Sequence, residues 1–325
     1  MKKFWQLWLS AILATFLLAA CGTDDAKKDN TPVNGSSQTE DQASEEVAEF
    51  PLTLTDAVGN DITLEQAPET IVSMIPSNTE ILFALGLNDE IVGVNDWDNY
   101  PEEALEKEKI GGMEFNVEKI VSMTPDVVFA HESMLGTGEE GLQQLRDAGI
   151  NVFVVKNAAD FEQTYETIKT IGKATGKTEE AATIIEDMKA KVEEVLAKTA
   201  KVENEKRVFI ETSDVPEIYA PGKNTFMQQI LDMIGAENVV TEEDWVMISP
   251  EEIVKQNPDV IIVMYSYVPD IVESVKKRDG FSDITAVKEE RVVQVDENLT
   301  SRTGPRLALG LEEIAKAIYP EAFGE

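Results

Sequence analysis

Two stretches of the sequence share one pattern: NVEKIVSMTPDVVF at residues 116–129 and SPEEIVKQNPDVII at residues 249–262. In each, a capping residue (Asn116 or Ser249) precedes a short amphipathic run, a proline ends that run, and an apolar run follows. This order is typical of a short helix followed by a buried strand. The pattern therefore predicts two copies of one helix-strand unit.

A second pair of similar segments occurs in the same order along the chain. Residues 77–80 (SNTE) open a predicted helix that ends near Gly86, and residues 223–226 (KNTF) open another that ends near Gly235. Two matching series of elements predict an α/β protein of two pseudo-symmetric lobes with a ligand cleft between them.

The segment between the two lobes is predicted to be helical. Asp160 and Gln163 fit a capping box, and apolar residues then recur at helical spacing over residues 161–171 and 184–196. A long, rigid helix packed across both lobes would limit their movement when a ligand binds. The predicted division is an N-terminal α/β lobe at 49–157, linking helices at 158–204 and a C-terminal α/β lobe at 205–325.

The beginning of the chain has the layout of a bacterial lipoprotein signal. Two lysines precede an apolar run over residues 4–17, and a small-residue box leads to Cys21, the only cysteine. We expect residues 1–20 to be a signal peptide, Cys21 to be lipidated and the polar residues 21–48 to form a disordered tether. The protein would then lie on the outer face of the cell membrane, held by the lipid alone. An ordinary secretory signal with an incidental cysteine is the alternative.

The charge of the chain bears on its partners. With 62 acidic and 28 basic residues the formal net charge is −34. Nucleic-acid binding depends on clustered lysine and arginine, so we exclude nucleic acid as a partner. A basic protein partner fits this acidity, and so does a surface that is acidic only for solubility.

The sequence offers little for catalysis or for a resident metal ion. His131 is the only histidine and has no obvious nucleophile beside it, and no glycine-rich phosphate loop follows a strand. A zinc or manganese site built from several histidines is excluded. We therefore predict a binding protein without enzymatic activity or cofactor, with a chelatase-like enzyme as the distant alternative.

Three polar residues follow the strands of the two repeats. His131 ends the first apolar run, and Tyr265 and Tyr267 follow the second. Ligands of parallel sheets collect at the carboxyl ends of strands, so we expect these side chains to face the cleft. His131 is either a hydrogen-bonded structural residue or an axial ligand of a metal chelate.

These segments resemble the helix-linked (class III) substrate-binding lipoproteins of ABC importers for cobalamin, ferric siderophores or haem. The resemblance covers residues 71–319 and rests on residues 75–86 (IPSNTEILFALG) and the two repeats. It is nearest to the cobalamin-binding members, through residues 93–101 (GVNDWDNYP), Trp245 and Arg302.

The resemblance implies the cargo and the partner. The cargo would be cobalamin, with a ferric siderophore or haem as alternatives, and a protein that we expect to be monomeric would deliver it to a permease dimer with its ATPase subunits. Aromatic rings would face the flat corrin ring, and Arg302 would bond to polar groups at its edge; ordinary core or rim positions are the other interpretation of the aromatic residues. The predicted ligand-binding residues are Asn78, Trp97, Tyr100, Tyr219, Trp245, Tyr265, Tyr267 and Arg302.

Two positions depart from the cobalamin-binding members. Gly112 stands where they have a tryptophan, and Asn298 stands where they have an aspartate. The missing tryptophan puts one wall of the expected pocket in question.

One acidic residue in each repeat is a candidate for contact with the permease. Glu118 and Glu251 lie in the first turns of the two predicted helices, where the helix dipole favours a carboxylate by roughly 0.3–1 kcal/mol. The resemblance implies that this pair bridges arginines of the permease dimer. Stabilisation of the helix ends alone is the alternative.

Overall fold

The computed structural model describes residues 48–324. The predictions for the signal peptide, for Cys21 and for the tether, except its last residue Ala48, fall outside this range. Within the range, no helix is both long and apolar enough to cross a membrane.

The first lobe is built on a five-stranded parallel sheet. Its elements are β1 (Leu52–Thr55), β2 (Asp61–Leu64), β3 (Ile71–Ser73), α1 (Pro76–Ala84), β4 (Ile91–Val94), β5 (Glu108–Lys109), α2 (Val117–Met123), β6 (Val127–His131), α3 (Leu135–Asp147) and β7 (Asn151–Val155). The sheet has the strand order β5-β4-β3-β6-β7, and β1 pairs with β2 as an antiparallel hairpin. Strands alternate with helices, as expected for an α/β lobe.

Two helices connect the lobes: α4 (Phe161–Thr175) and α5 (Thr178–Thr199). The capping box is confirmed, because the Asp160 side chain accepts from the Gln163 backbone N–H at 2.7 Å and from the Gln163 side-chain amide at 2.6 Å. Gly176 ends α4 in the left-handed conformation with φ 72°, which a residue with a Cβ rarely adopts.

The second lobe is built on a four-stranded parallel sheet. Its elements are β8 (Arg207–Glu211), β9 (Ile218–Pro221), α6 (Phe226–Ile234), β10 (Glu237–Asn238), β11 (Trp245–Ile248), α7 (Pro250–Gln256), β12 (Val260–Val263), α8 (Ile271–Lys276), α9 (Thr285–Lys288), β13 (Val292–Gln294), α10 (Glu297–Ser301), α11 (Leu307–Ile318) and α12 (Pro320–Phe323). The sheet has the strand order β10-β8-β12-β13, while β9 and β11 form a separate antiparallel pair.

The two repeats fold as predicted, into α2-β6 and α7-β12. Asn116 caps α2 by accepting from the Lys119 N–H at 2.9 Å, and Ser249 caps α7 by accepting from the Glu252 N–H at 3.3 Å. Each helix ends in a left-handed residue, and each following strand lies inside its parallel sheet. The prediction of two related α/β lobes joined by helices is confirmed.

One apolar core spans both lobes and the linking helices. It joins one face of the first sheet, through Phe129 and Phe153, to Ile168 of α4, Val195 of α5 and Leu311 of α11. The opposite face of each sheet has its own smaller core. Close-packed interiors transmit strain and do not bend freely. We therefore expect the linking helices to hold the lobes at a nearly fixed angle.

Candidate functional site

A cavity of about 550 Å³ lies between the lobes, at the carboxyl ends of the parallel strands. From the first lobe it is lined by residues that follow β3, β4, β6 and β7, and from the second by residues that follow β8, β12 and β13. The lining residues include Met74, Asn95, Trp97, His131, Ser133, Asn157, Thr212, Tyr265, Tyr267, Asn298, Ser301 and Arg302.

Aromatic side chains form opposite parts of the cavity wall. Trp97, after β4, is 56% exposed, and Tyr267, after β12, is 65% exposed. Tyr267 stacks on the buried Tyr265 with ring centroids 4.9 Å apart. The exposed rings show that the cavity opens widely to solvent, so a ligand larger than the cavity can extend out of it.

A buried charge network supports the two tyrosines. Arg278 donates two hydrogen bonds to Glu211, both at 2.7 Å, and a third to Asp214 at 2.7 Å. The hydroxyl of Tyr265 donates to Glu211, and the Tyr267 hydroxyl accepts from the Asp214 N–H at 2.9 Å. Burial raises the pKa of Tyr265, and the adjacent Glu211 carboxylate raises it further. Tyr265 is therefore a neutral hydrogen-bond donor within this wall.

His131 lines the cavity as a neutral ring. Its Nδ1 accepts from the Ser133 backbone N–H at 3.2 Å and lies 2.9 Å from the Ser133 hydroxyl. Burial lowers the pKa of His131. Because Nδ1 is the acceptor, the proton is assigned to Nε2. Histidines that ligate metals usually have the opposite arrangement, in which the non-ligating nitrogen donates.

Arg302 reaches the cavity from the second lobe but is already bonded to the first. Its guanidinium donates to Glu80 of α1 at 2.8 Å and to the carbonyl oxygen of Trp97 at 3.3 Å. Arg306 also binds Glu80, through two hydrogen bonds of 2.8 and 2.6 Å, and stacks on the ring of Tyr100 at 3.6 Å. Glu80 is 3% exposed, so this ion-pair cluster connects the lobes beside the cavity.

Asp98 is a buried carboxyl behind the Trp97 loop. One oxygen accepts from the Thr79 hydroxyl at 2.7 Å and from the Asn95 N–H at 2.9 Å. The other is buried with no hydrogen-bond partner among residues 48–324. Burial raises the pKa of Asp98 to about 6, and the hydrogen bonds oppose this shift. The carboxyl is thus close to its protonation midpoint in mildly acidic solution.

Four of the eight predicted ligand-binding residues line the cavity: Trp97, Tyr265, Tyr267 and Arg302. The other four do not, and each has a local reason. Asn78 is buried and donates to two backbone oxygens of β6. Tyr100 is 45% exposed and packs against Arg306 outside the cavity. Tyr219 and Trp245 point outward from the antiparallel β9–β11 pair and are 41% and 53% exposed.

The two acidic residues predicted to contact the permease are exposed on matching helices. Glu118 and Glu251 lie in the first turns of α2 and α7, whose caps are supplied by Asn116 and Ser249. Within the described range neither carboxylate has a hydrogen bond or ion pair, whereas Glu252 is bonded to its neighbours in α7.

Several site residues were not identified from the sequence. Glu80 and Glu211 are the main ones. Each is an acidic residue at one end of an apolar run: Glu80 directly precedes residues 81–85, and Glu211 directly follows residues 208–210. Asp98 is hidden in a polar loop, where an acid is unremarkable. Within residues 48–324, no three histidine, cysteine or acidic side chains come together to hold a metal ion.

Comparison with known proteins identifies relatives of the chain. A family model described as periplasmic binding protein matches residues 71–299. An uncharacterized ABC transporter substrate-binding lipoprotein, YvrC of Bacillus subtilis (strain 168), is 42% identical over the whole of both chains. A cobalamin-binding protein of Halobacterium salinarum is 29% identical over 83% of this chain and 74% of its own.

Solved structures agree on the fold. A protein of Staphylococcus epidermidis ATCC 12228, described as a possible iron-binding (periplasmic solute-binding) protein, superimposes with a TM-score of 0.71. It is 36% identical and covers 78% of this chain and 100% of its own.

Proposed function

The chain belongs to the periplasmic binding protein family, and from this we propose that it is the extracytoplasmic substrate-binding protein of an ABC importer that captures cobalamin in the cavity between its lobes. One relative is described as an ABC transporter substrate-binding lipoprotein, and another as a cobalamin-binding protein. The protein would hand its cargo to a permease with ATPase subunits and perform no chemistry on it.

The observation that carries the cobalamin assignment is the low charge of the cavity wall. Among the described side chains that line it, those with a full charge are Glu297 and Arg302, and Arg302 is neutralised in part by Glu80. The rest of the wall is aromatic, aliphatic, thioether, amide and hydroxyl. A corrinoid presents a flat ring with neutral amide side chains, and such a wall matches it without burying an unpaired charge.

The aromatic residues and amides have distinct roles in this proposal. Trp97 and Tyr267 would contact the faces or edges of the corrin ring, because large rigid rings cover apolar area at a low entropic cost. Asn95, Asn157 and Asn298 would pair with the peripheral amides. Asn298, a neutral residue where the cobalamin-binding members have an acid, is well suited to such an amide pair.

Haem and ferric siderophores are the alternatives within the same family. The Staphylococcus relative described as a possible iron-binding protein favours them. Haem needs an axial ligand and carries two carboxylates. His131 has its proton on Nε2, and the Tyr265 hydroxyl donates to Glu211, so neither is free to act as the axial ligand. Arg302 is already paired with Glu80, so it is less available to bind a haem carboxylate.

Contact with the permease is proposed for Glu118 and Glu251. Their helices are capped by other residues and their carboxylates are exposed and unpaired within the described range, which supports a role beyond helix stabilisation. One acidic residue on each pseudo-symmetric lobe fits a permease dimer with a basic residue on each half. We also propose that Cys21 carries the lipid anchor and that the protein acts as a monomer.

The test is a calorimetric titration of the protein lacking the signal and tether with cyanocobalamin, haemin and a ferric hydroxamate. The proposal expects tight one-to-one binding of cyanocobalamin and much weaker binding of the other two. Binding of haemin or the hydroxamate in preference to cobalamin would reject cobalamin as the cargo, while the assignment to the family would stand. Binding of none would leave the cavity without a tested cargo and reject all three.

A further inference from the structure

The ion-pair cluster of Glu80, Arg302 and Arg306 has an unusual place relative to the cavity. Glu80 belongs to the first lobe and the two arginines to the second, and their side chains are only 2%, 11% and 17% exposed. Arg302 lines the cavity, whereas Glu80 and Arg306 lie behind it. The charge that a ligand meets at Arg302 is therefore set by two residues that it does not touch.

The cluster has one net positive charge, because a single carboxylate faces two guanidinium groups. That carboxylate accepts three hydrogen bonds of 2.6 to 2.8 Å from the two arginines. Without it, the positive charge of Arg302 at the cavity wall and that of Arg306 behind it would both be uncompensated and would attract carboxylate-bearing chelates such as haem or many ferric siderophores. In a partly buried site, charges of this kind are screened far less than on an open surface.

We infer that Glu80 is a specificity-determining residue, which offsets the charge of Arg302 and Arg306 so that the site favours neutral, amide-rich chelates over anionic ones. The inference rests on the proposed function. Glu80 acts through Arg302 and is a positioning residue for that guanidinium.

A matched pair of ligands separates charge from shape. Cyanocobalamin and its isomeric monocarboxylic acids, made by hydrolysing one peripheral amide, differ by one negative charge and have almost the same shape. The ratio of their dissociation constants is measured by calorimetry, one acid isomer at a time, for the wild type, Glu80→Gln, Arg306→Gln and the double variant. Circular dichroism at the titration temperature confirms that each variant is folded.

The charge account predicts opposite shifts from the two single variants. Glu80→Gln improves the relative affinity for the acid nearest Arg302 by about tenfold, the effect of one charge roughly 10 Å away at an effective dielectric constant of about 20. Arg306→Gln weakens it by a similar factor, and the double variant, with the wild-type net charge, returns the ratio to its wild-type value. If Glu80→Gln does not fold, the direction of the shift in Arg306→Gln still decides.

A purely structural role for the cluster would weaken all ligands together. Ratios that are the same in every folded variant, for every acid isomer, would overturn the inference while leaving the cobalamin assignment intact. A wild-type protein that does not bind cyanocobalamin would overturn the proposed function and this inference with it.

Discussion

The indole ring of Trp97 lies directly against Gly112, so that a methyl group on that glycine would be only 3.2 Å from the Cη2 and Cζ2 atoms of the ring. Gly112 is the position where the cobalamin-binding members have a tryptophan. Here the space beside the glycine is filled by Trp97 from the neighbouring loop, and this ring lines the cavity. The side of the cavity next to Gly112 is therefore formed by the ring of Trp97.

Replacement of Trp97 by alanine should weaken cobalamin binding by at least about tenfold, because the loss of an aromatic contact at the centre of a site typically costs 2 kcal/mol or more. Trp245→Ala is the matched control: Trp245 is exposed to a similar extent, 53% against 56%, but lies outside the cavity. We expect the control to change affinity by less than about threefold. Calorimetry measures the dissociation constant of each variant. A larger effect of Trp245→Ala than of Trp97→Ala would show that the ligand binds on the β9–β11 face.

The Glu211–Arg278 pair should be important for stability. Their side chains are 0% and 8% exposed, so Arg278→Met leaves a buried carboxylate without its main partner and should lower the free energy of unfolding by about 3–5 kcal/mol. Lys255→Met, which breaks the exposed pair with Glu252, should cost less than about 1 kcal/mol. Urea unfolding measures both. Equal costs would show that the buried network contributes no more than a surface pair.

Asp98 should give the protein a distinct dependence of stability on pH. Its pKa is raised by burial from 3.8 to about 6, so between these values the folded protein holds a proton that the unfolded chain has released. The contribution of Asp98 to stability is therefore fully present below about pH 4 and falls by about 3 kcal/mol as the pH rises past 6. Asp98→Asn should remove this loss of stability at higher pH, because the asparagine amide does not ionise.

The measurement is urea unfolding of the wild type and Asp98→Asn at pH 4 and pH 7.5. Relative to the wild type, the variant should gain about 2.5 kcal/mol between the two pH values. Other carboxyl groups titrate equally in both proteins and cancel in this comparison. If the difference in stability between the wild type and the variant is the same at both pH values, the pKa of Asp98 is not raised by burial.

Reversal of charge at Glu118 and Glu251 should prevent transfer of cobalamin to the permease without changing the binding of cobalamin. The double variant Glu118→Lys/Glu251→Lys should lower uptake of labelled cyanocobalamin by cells that depend on this protein at least about tenfold, since like charges would then face the permease. Its affinity for free cobalamin should be unchanged. Glu193→Lys, an exposed site on α5, is the control that should leave both intact. Normal uptake by the double variant would reject these residues as docking contacts.

The fold could be predicted because its signals are local and repeated. The α2-β6 and α7-β12 units have caps, stops and apolar strands within 14-residue segments, and the linking helices have a regular apolar spacing. The rule that ligands gather at strand ends also selected His131, Tyr265 and Tyr267, which line the cavity. Features that depend on a few consecutive residues can therefore be predicted from the sequence.

Features of the site that depend on tertiary packing could not be predicted from the sequence. Glu80 and Arg302 are 222 residues apart, and no local pattern links them. The resemblance predicts Tyr219 and Trp245 as ligand-binding residues, but the alternation of side chains along β9 and β11 turns both outward. Asn78 lies in the first turn of α1, and only the packing of that helix against β6 shows why its amide is buried.

The central claim, that the cavity between the lobes binds a corrinoid, is tested most directly by a crystal structure with cyanocobalamin, in which anomalous scattering locates the cobalt. The account predicts one cobalt site per chain, between the strand ends of the two sheets, with the corrin plane about 4 Å from the ring of Trp97 or Tyr267. A cobalt site outside this cavity, for instance over Tyr219 and Trp245, would contradict it.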